Sequence, residues 1–121
     1  MKNNLYFLPT TIHIVRGTTK KINLTVLSID GYQGLLFKPK DEIYFGIKRR
    51  PEDKEYISIQ KIAAPIDSNT IEIKIEPINT QYESFGEHYY DIGLKRDKDY
   101  YNLVKCSLLI IEPNITEKKN E

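Results

Sequence analysis

From Thr70 to Glu76 the chain alternates without a fault. Ile71, Ile73 and Ile75 fall in one phase and Thr70, Glu72, Lys74 and Glu76 in the other. This period of two predicts a strand with one apolar and one wet face. The pattern returns after a connection, with His88, Tyr90, Ile92 and Leu94 in one phase over Glu87 to Leu94. Two such strands joined across the end of a sheet pair are the core unit of a β-sandwich.

The remaining elements follow the same period. Thr11 to Val15 alternates weakly, and Gly17 marks a turn or bulge. Lys20 to Ile29 predicts a strand with Ile22, Leu24 and Val26 on one side, closed by the Asp30-Gly31 turn. Ile43, Phe45 and Ile47 predict a strand over Glu42 to Lys48, and Ile57 and Ile59 another over Glu55 to Ile62. The polar segment Arg49 to Lys54 makes these two a hairpin. Arg96 to Asp99 is a charged turn into a last strand, Tyr100 to Ile111. The end of that strand, Leu108 to Ile111, is apolar in both phases, which predicts cover on both faces. The one helical candidate is a turn within Asn79 to Phe85, ended by Gly86. About seven or eight short strands with regularly spaced turns predict an all-β, antiparallel sandwich in a single domain. Residues 1–16 read as an N-terminal arm and first edge strand, 17–113 as the sandwich, and 114–121 as a charged, disordered tail.

Composition narrows the classes without choosing one. At 121 residues the chain is long enough for a single core. With 18 basic and 17 acidic residues the net charge is +1, so no global field draws in nucleic acid or an anionic membrane. No apolar run reaches the ~20 residues of a membrane span. Leu5 to Leu8 is too short for the core of a signal peptide. One cysteine, Cys106, rules out an intramolecular disulfide and fits a reducing compartment.

The candidate chemistry is sparse. His13 and His88, the only histidines, lack metal-ligand spacing, so no metal site is expected. Cys106 has no Cys-x-x-Cys partner and lies in an apolar strand, which predicts an inert core cysteine. No catalytic set, phosphate loop or cofactor motif is visible, so neither an enzyme nor a cofactor is expected. Asp91, out of phase with Tyr90 and Ile92, reads as a solvent or interface carboxylate. Lys48-Arg49-Arg50, with Lys38 and Lys40 upstream, could contact phosphates or an acidic neighbour. A solvated hairpin tip beside Glu52 and Asp53 is the favoured reading. Nine tyrosines without a tryptophan exceed what one small core holds, which places some at protein interfaces. Tyr89 or Tyr90, following Gly86 at a strand entry, is a candidate for a tyrosine corner whose hydroxyl pins the crossing connection.

Several segments together resemble a known module. They are Arg16-Gly17-Thr18 with Ile22 to Val26, then Ile71 to Pro77, Gly86 to Ile92, and Ile111 to Thr116. They are similar to the immunoglobulin-like N-terminal module of phage baseplate upper proteins and to small tail or head accessory proteins of Gram-positive phages. Thr18 stands where that module usually has an acidic residue. The resemblance implies an immunoglobulin-like sandwich and a non-enzymatic structural subunit of a phage or phage tail-like particle. Such a subunit would be made in the host cytoplasm and located in the virion. It would act as an adaptor on tail-tip or baseplate proteins, in a symmetric multi-copy assembly, with neither nucleic acid nor membrane as partner. The interface residues expected for it are Leu5, Tyr6, Phe7 and Leu8 of the first arm, Tyr100 and Tyr101, and Ile115 of the last. The alternatives are a capsid decoration protein and a host-surface carbohydrate-binding module with Tyr100 and Tyr101 as its aromatic platform.

Overall fold

The computed structural model describes residues 11–25, 28–29, 32–33, 37–65 and 70–113. Its strands are β1 (Ile12–Val15), β2 (Lys20–Thr25), β3 (Ser28–Ile29), β4 (Tyr32–Gln33), β5 (Glu42–Lys48), β6 (Ser58–Ala63), β7 (Thr70–Ile75), β8 (Gly86–Arg96) and β9 (Asp99–Glu112). A single helical turn, α1 (Pro77–Thr80), lies between β7 and β8. One sheet has the order β1-β9-β8-β5-β6, and β2 pairs with β7 in a second. The chain is therefore an all-β sandwich, with a small β3–β4 hairpin beside it. Every pairing is antiparallel except β1 with β9, where Ile12 aligns with Leu109 and Ile14 with Ile111. No helix among the described residues is long and apolar enough to cross a membrane.

The alternation read from the sequence decides which atoms meet. Ile71, Ile73 and Ile75 are at most 1% exposed. Their partners Leu24 and Ile22 on β2 share that face. Opposite them the five-stranded sheet contributes Ile43, Phe45 and Ile47 of β5, Tyr90, Ile92 and Leu94 of β8, and Leu109 and Ile111 of β9. Removing these side chains from water is the main favourable term, each contributing about 1.5–3 kcal/mol before the entropy of ordering is subtracted.

Several stretches depart from the sequence reading, which also runs β2 on to Ile29 where it ends at Thr25. β6 begins at Ser58 rather than Glu55, because Tyr56 leaves the strand to lie across Gly46 of β5. The helical turn starts at Pro77 instead of Asn79, since proline suits a first helical position. The Glu76 N–H donates to Asn79 Oδ1 at 2.8 Å and fixes its entry. Leu108 and Ile110 are half-buried, so the end of β9 is covered fully on one face only.

Two buried carboxylates hold the ends of the sheet. Asp41, just before β5, accepts two hydrogen bonds from Arg96 at the end of β8, at 2.9 and 2.6 Å, and a third from the Lys38 N–H. Burial opposes its ionisation, but the Arg96 and Lys38 hydrogen bonds outweigh that and hold the carboxyl below its ordinary 3.8. At the other end Glu83 accepts both Arg49 hydrogen bonds at 2.9 and 3.0 Å.

Asp41→Ala removes the carboxylate that Arg96 grips and should lower unfolding free energy by about 3 kcal/mol in urea titration. Because the folded pKa lies below the unfolded one, the Asp41 contribution is complete above the ordinary carboxylate range. It is lost as pH falls through the depressed folded value, so Asp41→Asn should show a shallower acid-side decline than the wild type.

Candidate functional site

The outer face of the five-stranded sheet carries the most developed arrangement of polar and aromatic groups. On β5 the outward positions are Tyr44, Gly46 and Lys48; on β8 they are Tyr89, Asp91 and Gly93. The register sets Tyr44 against Gly93, Gly46 against Asp91 and Lys48 against Tyr89. The two glycines leave room that aromatic rings occupy. A Cβ at Gly46 would collide with the ring of Tyr56, and one at Gly93 with the hydroxyl of Tyr100. Glycine inside a strand commonly marks such a close approach.

Between these rings lies Asp91. Tyr56 donates its hydroxyl to Asp91 Oδ2 at 3.0 Å. Among the described residues, Asp91 Oδ1 accepts no hydrogen bond and no cation lies within ion-pair distance of the carboxylate. The nearest ammonium, Lys48 Nζ, sits instead over the Tyr56 ring, 4.6 Å from its centre. Burial pushes the Asp91 carboxyl above its usual value, against the Tyr56 hydrogen bond and the Lys48 charge. Burial, then the Asp91 charge and hydrogen bond, push Tyr56 up to about 12. Tyr44, Tyr56, Ile59 and Tyr100 wall a concavity of about 260 Å³ over Gly46 and Asp91.

A second exposed region lies on the crossing between the sheets. Ile78 and Tyr82 are 61% and 80% exposed, and Phe85 lies beneath the Arg16 guanidinium at 4.1 Å from the ring centre. The crossing beneath them is fixed by Thr80, whose hydroxyl accepts the Gly17 N–H at 2.8 Å, and by Arg16, which donates to the Glu83 carbonyl at 3.1 Å. Gly17 has a φ of 74°, a backbone region that glycine adopts without strain.

No family model matches this chain, and no curated protein matches it either.

The expected site residues fall in different places. Leu5, Tyr6, Phe7, Leu8 and Ile115 lie outside the described residues. Tyr100 and Tyr101 do not form one platform, because neighbours in a strand point to opposite faces. Tyr100 is 60% exposed on the outer face, while Tyr101 packs against the core. Tyr89 is not the pin of the crossing, since its hydroxyl points to Glu87 on its own strand at 3.4 Å. Tyr90 is buried in the core, its ring centre 5.7 Å from that of Phe45. Cys106 is exposed, not core. Two register shifts in the β8–β9 pairing place extra residues on β9, so Leu103 and Val104 both turn inward and Lys105 and Cys106 both outward.

The basic cluster is divided by the fold. Lys38 and Lys40 lie before β5 and Lys48 at its end, roughly 20 Å away along a strand of this length. Lys48 engages Tyr56, Arg49 engages Glu83 and Arg50 engages Asp53. The two histidines are also apart in role: exposed His13 pairs with Glu112 at 2.8 Å, and buried His88 lies 3.7 Å from Glu83. Among the described residues, no group of three or more His, Cys, Asp or Glu side chains is placed to hold a metal ion. The Asp91 concavity had a faint sequence signal in the paired spacings Tyr44-x-Gly46 and Asp91-x-Gly93, which put a glycine on the same strand face as a functional side chain.

Cys106 should react with a thiol reagent in the folded state, where a core cysteine would wait for unfolding. Burial and the Asp91 charge raise its thiol, so labelling at pH 8 should be slower than for a free cysteine. Asp91 has the opposite linkage sign to Asp41. Its raised folded pKa means that stability present below the unfolded value is lost as pH rises through the folded one. Asp91→Asn should therefore lack this loss on raising the pH and be at least as stable as wild type at pH 7 in urea titration.

Proposed function

We propose that this protein is a non-enzymatic structural subunit of a phage or phage tail-like particle, an adaptor on tail-tip or baseplate proteins. The observation that carries the docking role is the apolar surface of the crossing. Of the large hydrophobic side chains exposed among the described residues, Ile78, Tyr82 and Phe85 all come from this one short connection. Such side chains brought together on a rigid mount are the composition of a protein interface. The mount is rigid because Thr80, Asn79 and Glu83 are each tied to other elements, to Gly17, Ser58 and Arg49 respectively.

The strand order supports the immunoglobulin-like form of the sandwich. β9, β8, β5 and β6 correspond to the G-F-C-C′ order of variable-type domains, and β2 and β7 to their B and E strands. The sequence resemblance supports the particle. β6 offers a further docking element, since its outer edge pairs with no strand among the described residues.

Mass spectrometry of separated heads and tails should find the chain with the tails. Tyr82→Asp, folded as wild type by circular dichroism, should be depleted from them. Finding the chain only on heads would replace the adaptor with a capsid decoration protein, and absence from both fractions would overturn the particle reading.

A further inference from the structure

We propose that the concavity over Asp91 is a binding site for an organic ammonium ion. A half-buried carboxylate with one oxygen unbonded sits among the rings of Tyr44, Tyr56 and Tyr100. Ring faces carry the negative end of the aromatic quadrupole, so rings and carboxylate together favour a positive guest. A neutral guest supplies Oδ1 with a hydrogen bond and leaves a partly desolvated carboxylate without an ion-pair partner; a cation supplies both.

The lining fits the rest of such a guest. Ile59 and the carbon edges of the tyrosine rings present apolar surface to methyl or methylene groups. The volume of about 260 Å³ suits a headgroup or the end of a lysine side chain, and is small for an extended chain. The wall already holds an ammonium on another side, where Lys48 lies over Tyr56. The Glu42 carboxylate next to Tyr44 is occupied by the Tyr44 hydroxyl at 2.7 Å and by Lys61 at 3.5 Å. Asp91 is the carboxylate that lines the concavity itself.

This inference stands apart from the particle reading, because it uses the outer face of the sheet and not the crossing. The test is a titration of the full chain followed by amide NMR, reading the Gly46 and Gly93 signals. The probes are choline, Nα-acetyl-lysine amide, 3,3-dimethylbutan-1-ol as the uncharged shape of choline, and glucose. Choline or the lysine amide should shift both glycine signals saturably, and whichever binds tighter identifies a quaternary headgroup or a polypeptide lysine as the source. The uncharged alcohol should bind about tenfold or more weakly. Asp91→Asn keeps an acceptor for Tyr56 and should weaken the cation about tenfold. Gly93→Ala, which displaces Tyr100, should weaken it too, while Tyr82→Ala should change nothing. Equal binding of the uncharged alcohol, undiminished binding by Asp91→Asn, or a response to glucose with none to either cation would overturn the proposal.

Discussion

The rest of the molecule depends on one hydrophobic contact, the three isoleucines of β7 pressed against the inner face of β5, β8 and β9. Ile71, Ile73 and Ile75 are almost fully removed from water, as are the Ile43, Phe45, Ile92 and Leu94 that line the opposing sheet. Two sheets cannot separate or slip without exposing these groups, and a slip of one residue would turn every one of them outward. That contact fixes which way β5 and β8 face. It therefore also fixes which side chains stand on the outer surface.

The outer surface is where this constraint becomes chemistry. With the inner phase of β5 and β8 committed to the core, the outer phase holds Tyr44, Gly46, Asp91 and Gly93. A strand glycine leaves room for a neighbouring ring, and Tyr56 and Tyr100 take that room over Gly46 and Gly93. The rings shield Asp91 from solvent and leave it without a paired cation, so a surface aspartate becomes a partly desolvated one. The polar groups at the ends behave differently. Asp41 and Glu83 are both matched by arginines, and they close the ends of the sheet without exposing an open acceptor.

Most of the strands and their faces were legible from the alternation of residues. The assignments of Ile43, Ile73 and Leu94 to one buried phase follow from a period of two alone. The site was less legible for a reason that particular residues make clear. Tyr44-x-Gly46 and Asp91-x-Gly93 each announce a glycine on an outer face, but Tyr56 reaches Gly46 only by leaving its own strand early, and Tyr100 reaches Gly93 from the far side of a hairpin. Cys106 was misread because its surroundings in sequence are apolar. Its direction depends on two extra residues in β9, which reset the alternation without leaving a mark in the composition.

By itself, then, the sequence determined the fold class and the buried phase of β5, β7 and β8, because these follow from local periodicity. Tertiary structure alone decided that Asp91 sits under tyrosines drawn from three separate segments. It also decided that the basic residues around Lys48 are dispersed onto separate partners, and that Thr80 and Glu83 hold the crossing. The physical reason is the same in each case. Periodicity states which face a side chain takes, whereas its neighbours on that face are set by register, bulges and the path of loops, all of which are long-range properties of the packed chain.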